Sequence, residues 1–489
     1  MWPVSDVWPQ VTIGGQWYTF ASRELFYAVE EFSRMQIHFH GATRTVTGTL
    51  HEIRAAGKVL LLDCGLFQGP RDEARRINTT FDFDVRTVAC VILSHAHTDH
   101  CGNLPNLVKQ GYRGPIWCTP ATAAVAALML LDSAKIQEEN ADYLNQKTVK
   151  TWQGKVAPLY TREDAEQTIR QFRTLDYCKP LDLGGVTVEL RDAGHTLGSA
   201  AVCLTEAATG KVLVFTADVG RPGAPILNDP DPFTRADALI SECTYGGKTH
   251  APVSTIPGFL ADVINQTVKR GGVLMIPAFA LGRTQTMVQQ IHELRDQKKI
   301  PGWLTVYVDS PLATRITEVH RHFSSLLDEE TMALLKPFDF PNLTYVSTVQ
   351  QSMALNTRRD PFIIMAGSGM CESGRILHHL KHHIGDPNST VLLPGYQAVN
   401  TLGRRIQDRL EWVPILGDRI PLRCRVEMLD GLSAHADGGE LLAYTRPLKN
   451  AATYLVHGEV PSAEAHQKTL QGAGFAKVTI PSRGDVAEV

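Results

Sequence analysis

The sequence predicts an α/β protein in which one strand-rich domain is interrupted by a second, parallel α/β domain. Three observations carry this expectation. From Met35 the chain runs as short β-like segments with Gly-rich turns, and this texture returns at "VTVELRDAGHTLGSAAVCLTE" and "KVLVFTADVG". Strand, Gly-containing turn and helix then alternate, as in "GGVLMIPAF" followed by "ALGRTQTMVQQIHELRD", the pattern of a parallel sheet. After residue 420 the text reverts to strands: "CRVEMLDGLSAHAD", "ATYLVHGE", "KVTIPSRG".

In chain order, residues 1–34 read as an aromatic-rich extension without the basic start and apolar run of a secretion signal. Residues 35–235 form the first part of the strand-rich domain. There "TVTGTLHEI", "KVLLLDCG" and "CVILSHAHTDH" are buried strands ending in loops that carry Asp, His or Gly. "ATAAVAALMLLDSAKIQEENADYLNQK" and "TREDAEQTIRQF" have helical spacing and cover the sheet. Residues 236–419 form the inserted domain, and 420–489 complete the first one.

At 489 residues the chain exceeds what one core usually supports, and 43% hydrophobic with 20% charged residues is ordinary globular composition. A net charge of −3 supplies no global basic field, so a polyanionic substrate needs local positive charge or metal. The 9 cysteines form no CxxC, which argues against disulfides and thiolate metal clusters and for a reduced, cytoplasmic setting. No apolar run is long enough to span a membrane.

The densest chemistry lies in "VILSHAHTDHCGNLP", residues 91–105. His95 and His97 alternate by two and point the same way from a loop leaving a strand, while Asp99 and His100 turn to a neighbouring point. Imidazole and carboxylate suit zinc, and two ions sharing this loop need further ligands from elsewhere. His195 in "DAGHTLGS", Asp218 in "FTADVG" and His457 in "LVHGE" each follow a strand. A single loop histidine is usually unremarkable; this whole set at separate strand ends is not.

The HxHxDH run with the later His and Asp resembles the metallo-β-lactamase fold family. The resemblance implies an αββα sandwich with two zinc ions per chain. His95, His97 and His195 would bind one ion, Asp99, His100 and His457 the other, and Asp218 would bridge them. Asp99 also counts among the catalytic residues. Asp63, in "LLLDCG", would orient ligands rather than bind metal.

The 239 positions from Asp218 to His457 exceed what a small-molecule hydrolase of this fold needs. Glu242 in "SECTYG", His435 in "LSAHADGGEL" and His457 resemble the three extra motifs of the β-CASP subgroup, its nucleic-acid-cleaving branch. The runs "GATRTVTGT", "PAFALGRTQ", "DSPLA", "GSGMCESGRILHHL" and "GYQAVNTLGRRI" extend the resemblance over nearly the whole chain from Met35. It points to bacterial and archaeal relatives of the endonuclease that cuts pre-mRNA at its 3′ end. A histidine in the last motif goes with RNA in this family. The implied function is a cytoplasmic, zinc-dependent endoribonuclease. It would cut single-stranded RNA with a hydroxide held by two metals, with His435 as general acid and Glu242 orienting it. A homodimer follows by family analogy only. The competing readings are a small-molecule hydrolase opening a lactam or thioester, a 5′-to-3′ exoribonuclease and a scaffold without catalysis. The first leaves the insert unexplained. The family's exonucleases carry a further C-terminal domain, whereas 32 residues follow His457 here, and a scaffold would not keep every presumed ligand.

Phosphate contacts are expected from Gly367, Ser368 and Gly369 in the "AGSGM" turn, and from Arg283, Arg404 and Arg405. Between residues 401 and 425 six arginines face three acidic residues, a local excess that the overall charge conceals. "HHLKHH", residues 378–383, invites a metal reading but is expected to be a helix face near the RNA path.

Overall fold

Period-two burial builds the first domain. In Lys58–Leu62, Leu60 and Leu62 enter one core while Leu61 joins another on the opposite face, the alternation a pleated strand imposes. In this computed structural model the described residues are 10–13, 16–19, 34–147, 155–334 and 336–489.

Two seven-stranded mixed sheets result. One runs Val486–Glu488, Gln36–Phe39, His51–Ala55, Lys58–Leu62, Val88–Ile92, Ile116–Cys118, Phe172–Thr174; the other runs Lys477–Thr479, Ala452–Val456, Ala238–Glu242, Val212–Phe215, Ala200–Glu206, Val186–Asp192, Leu181–Asp182. They face each other through Ile37, Phe39, Leu60 and Ile92 on one side and Val188, Val202, Phe215 and Ile240 on the other. Each such buried side chain contributes roughly 1.5–3 kcal/mol. Helix Pro120–Lys147 covers the outer face of the first sheet through Val125, Ala126 and Leu130, and helix Val460–Gly472 covers the second through Ala463 and Leu470. The expected αββα sandwich is present.

The insert is a six-stranded, wholly parallel sheet in the order Leu343–Tyr345, Thr305–Val308, Phe362–Ala366, Leu274–Pro277, Thr390–Leu393, Arg425–Met428. Separate apolar cores on its two faces account for the continuous apolar strands "LMIP" and "FIIMA". Strand pairing crosses both expected borders of the insert. Ala238–Glu242 still pairs with Val212–Phe215 and Ala452–Val456, and Arg425–Met428 pairs with Thr390–Leu393. Strand texture is alike on both sides of each border, and only long-range pairing distinguishes them.

Of the expected 1–34 extension, the described residues show an antiparallel pair, Gln10–Ile13 with Gln16–Thr19, and Arg34; the rest lies outside the described residues. All cysteines are free. Among the described residues no helix is long and apolar enough to cross a membrane.

Candidate active site

Parallel strands place their carboxyl ends at one edge, and each ligand-type side chain sits just beyond such an end. Asp63 follows Lys58–Leu62, His95 follows Val88–Ile92, Asp218 follows Val212–Phe215 and His457 follows Ala452–Val456, while Glu242 ends its own strand. Asp63 and His457 adopt positive φ angles of 61° and 49°, backbone strain of the kind that surrounding structure must enforce. Gly65 permits the close approach beneath the histidine loop, since a Cβ there would lie 1.6 Å from the Asp99 carbonyl oxygen.

Among the described residues three groups of donors form, and within each the donor atoms lie within 4.8 Å of one another: His95, His97, His195 and Asp218; Asp99, His100 and His457; and Asp218, His435 and His457. Asp218 joins them. Its Oδ2 is 3.5 Å from His95 Nε2 and 3.5 Å from His195 Nε2, and its Oδ1 is 3.2 Å from His100 Nε2. His457 Nε2 stands 3.4 Å from Asp99 Oδ2 and 3.3 Å from His100 Nε2.

Hydrogen bonds on the far sides of the rings fix which nitrogens carry protons. Ser94 Oγ donates to Asp63 Oδ2 at 2.7 Å and so accepts from His95 Nδ1 at 3.1 Å. Thr244 Oγ1 donates to the His457 carbonyl at 2.9 Å and so accepts from His457 Nδ1 at 3.0 Å. His195 Nδ1 donates to the Ala434 carbonyl at 2.9 Å. Each assignment turns an Nε2 lone pair toward the centre. There His95 Nε2 and His195 Nε2 each lie 3.1 Å from His97 Nδ1, and one proton on that atom serves only one of the two contacts. Asp218 Oδ1, although buried, has no well-aligned hydrogen-bond donor, His100 Nε2 at 3.2 Å being its nearest nitrogen. Converging lone pairs around an under-satisfied carboxylate repel one another unless a cation stands among them. Imidazoles and carboxylates without thiolate are a donor set that suits zinc.

The electrostatics agree. Burial drives His95 and His195 well below the ordinary imidazole range and His97 to about 4, so all three are neutral donors. Burial opposes the charge on Asp99 and Asp218, yet the surrounding histidines hold Asp99 at about 2 and Asp218 well below the usual carboxylate range. His100 differs. Burial lowers it, but Asp218 and Asp63 raise it well above its usual value, so it carries a proton that an incoming cation displaces.

His435 stands at the mouth, its side chain 20% exposed, with Nδ1 3.3 Å from Glu242 Oε1 and its ring 4.5 Å from that of His195. Glu242 is buried and held rigidly, its Oε1 also accepting from the Val219 amide at 2.6 Å. Burial disfavours charge on His435, but Glu242 and then Asp218 push it up to about 9.

The metal-type residues, Asp63, Glu242 and His435 therefore converge as a set. Asp63 accepts from His100 Nδ1 and Ser94 Oγ, both at 2.7 Å. The remaining expected residues lie around the insert. Half-buried Arg283 makes no salt bridge among the described residues; burial lowers it to about 10, and Tyr245 is its electrostatic neighbour. In the Gly367–Gly369 turn the Ser368 amide is already donated to the Ser373 carbonyl at 3.0 Å, and Ser368 Oγ accepts from the Glu372 amide at 3.0 Å. Arg404 pairs with Asp408 at 2.8 Å, and Arg405 is exposed. The "HHLKHH" run divides between faces: His379 and His383 are buried, His378 and His382 exposed, and no metal-type group forms there among the described residues. The sequence reading missed Ser94, Thr244 and the Ala434 carbonyl. Each is a chain neighbour of a recognised motif residue, and adjacency was the available signal.

Three family descriptions match the chain in order: a metallo-beta-lactamase superfamily domain over residues 53–227, a Beta-Casp domain over 284–406 and a Zn-dependent metallo-hydrolase RNA specificity domain over 419–481. Ribonuclease TTHA0252 of Thermus thermophilus is 36% identical, over 89% of this chain and 96% of its own. Transcription termination factor FttA of Methanocaldococcus jannaschii is 28% identical over 93% and 72% respectively, and endoribonuclease YSH1 of Eremothecium gossypii 27% over 86% and 54%. A crystal structure of a protein of unknown function from Enterococcus faecalis V583 has a TM-score of 0.55 at 13% identity, covering 94% of this chain and 100% of that one, a likeness of fold alone. The split sandwich, its insert and a relative matched almost end to end agree, and the chain belongs to the β-CASP ribonuclease family of the metallo-β-lactamase superfamily, a family of metal-dependent nuclease hydrolases.

Proposed function

We propose that this chain is a zinc-dependent endoribonuclease acting on single-stranded RNA. The observation that carries the reading is the set of inward lone pairs around Asp218, with a protonated histidine from beyond the insert at its mouth. His95, His97, His195 and Asp218 would hold one zinc ion, and Asp99, His100, His457 and Asp218 a second. Bound there, the pair of ions would activate water and neutralise charge on a phosphodiester.

The chain's own residues supply the rest. Asp63, through His100 directly and His95 by way of Ser94, holds imidazole lone pairs on target before metal arrives. His435 carries a proton at neutral pH and faces the mouth, where it protonates the departing ribose oxygen. Glu242 keeps that imidazole oriented and charged. Arg283, cationic and without an acidic partner among the described residues, is the residue most available to a substrate phosphate. Arg404 is available only after leaving Asp408.

The test uses zinc-loaded wild type and His435→Ala on a structured RNA labelled and blocked at its 5′ end, alongside a chromogenic β-lactam. Internal cuts that disappear in the variant while its zinc content holds support the reading. Intact RNA together with equal lactam opening by both proteins overturns it in favour of a small-molecule hydrolase.

A further inference from the structure

Four neighbouring parallel strands of the insert, Phe362–Ala366, Leu274–Pro277, Thr390–Leu393 and Arg425–Met428, end at one edge. In open parallel sheets ligands bind outside the carboxyl ends of the strands. The loops leaving these ends carry, in spatial order, the Gly367–Gly369 turn, Phe279 with Arg283, Gly395 with Tyr396, and Ser433 with His435. The catalytic histidine thus shares an edge with two aromatic rings that the chemistry does not use.

Those rings are unusual for their setting. Phe279 is 48% exposed and Tyr396 54% exposed, although a large apolar ring gains by burial. Phe279 borders the glycine turn directly, and Tyr396 is tied to it through its chain neighbour. A Cβ on Gly369 would lie 2.7 Å from the Phe279 ring, and Gln397, next to Tyr396, donates its amide to the Gly369 carbonyl at 3.1 Å. An Arg283 Nη lies 3.7 Å from where a Cβ on Gly395 would stand. Tyr245 closes the path inward. Its ring is 6.1 Å from that of His435, and its phenol lies within electrostatic reach of Arg283, Glu242 and Tyr396. A series of neighbouring residues therefore runs from the imidazole at the metal-type cluster, past Tyr245 and a guanidinium without an acidic partner among the described residues, to two exposed aromatic side chains.

An isolated apolar patch would leave its partner open. Here the neighbouring unpaired cation and the continuity with a phosphodiester-cleaving site call for an occupant that is at once anionic and flat-faced. Single-stranded RNA presents that combination, since unstacked bases lie on aromatic rings while phosphates meet arginine. A duplex, its bases already stacked, has no free face to offer.

We propose that Phe279 and Tyr396 are a stacking platform for unpaired bases of the RNA beside the scissile phosphate, with Arg283 holding the backbone between platform and acid. The platform sets substrate selection: it favours unpaired RNA and positions the cut at a fixed distance from the stacked bases. The inference rests on the ribonuclease reading and names how that site chooses its substrate.

Binding tests it without requiring cleavage. In zinc-loaded, full-length His435→Ala protein, the Kd for a fluorescent unstructured RNA is compared with that for the same RNA carrying abasic riboses. Phe279→Ala and Tyr396→Ala should each weaken binding of the intact RNA by roughly tenfold, and should lose little on the abasic RNA, where the stacking partner is already gone. Phe279→Trp should restore binding, whereas Phe279→Leu, which fills the space above Gly369 without a π-face, should not. Arg283→Ala should weaken both RNAs alike. The platform is overturned if the alanine variants bind like their parent, if their losses on the abasic RNA are as large as on the intact one, or if Leu serves as well as Trp. A platform-dependent Kd in a wild type that cuts no RNA would sink the ribonuclease reading while leaving the platform standing.

Discussion

Two buried carboxylates that face histidine behave in opposite ways, one histidine at Asp309 and several at Asp218. Asp309 in the insert and Asp218 in the sandwich each follow a strand, and each is 1% exposed. Asp309 is saturated: Arg375 and Ser352 Oγ donate at 2.5 Å and His379 Nε2 at 2.7 Å, with a full cation supplied by the protein itself. Around Asp218 the His95 and His195 protons are turned away, and protonated His100, its Nε2 3.2 Å from Oδ1 but without hydrogen-bond alignment, is the cationic neighbour. Burial and histidines alone do not distinguish a metal-type cluster; the direction of the ring protons does. A buried carboxylate saturated by the protein's own donors is structural, whereas imidazole lone pairs that converge beside a carboxylate fit a metal ion.

The contrast breaks most sharply on Asp218. Asp218→Asn should abolish RNA cleavage and zinc uptake together, as read by elemental analysis beside a cleavage assay. One step smaller, His435→Ala should lower the cleavage rate by ~10²–10⁴ with zinc content unchanged, the scale of a lost general acid. Glu242→Gln should keep the zinc and move the alkaline fall of the rate to lower pH, because Glu242 contributes to holding His435 at about 9. Asp63→Asn should weaken zinc binding by ~10–100-fold, measured against a competing chelator.

Asp309→Asn sharpens the comparison from the other side. It leaves Arg375 without its carboxylate and should destabilise the fold by roughly 3–5 kcal/mol in denaturant, with zinc content retained. The smallest expected effect belongs to two buried histidines of the insert, His320 and His383, each lowered by burial to about 4. Their folded forms resist a proton that the unfolded chain accepts near 6.5. Their contribution is therefore complete above that value and is lost as pH falls from 6.5 toward 4. Unfolding midpoints should drop through that window, and His320→Gln should flatten the slope.

Much of the site was legible before any coordinates. HxHxDH declares itself because alternation by two places imidazoles on one side of an extended loop, and Asp218 and His457 follow apolar strands that parallel sheets align. The orienting partners were not legible, since Ser94 and Thr244 are ordinary residues until the fold gives each a donor on one side and an acceptor on the other. Sheet membership at the insert's two ends was not legible, because Ala238–Glu242 and Arg425–Met428 look alike as strands and their sheets are chosen by partners far away in sequence. "HHLKHH" looked like one face, but helical periodicity sends His379 inward to Asp309 and His382 outward to solvent. Phe279 and Tyr396, 117 residues apart, meet at one sheet edge only through strand order.

The most direct test of the central claim is zinc stoichiometry after chelation and re-equilibration, for wild type, Asp218→Asn and Asp309→Asn. Two zinc ions per chain in wild type and in Asp309→Asn, with loss in Asp218→Asn, is the result the geometry predicts. A wild type that takes up no zinc, or an Asp309→Asn protein that loses as much as Asp218→Asn while still folded, would contradict it.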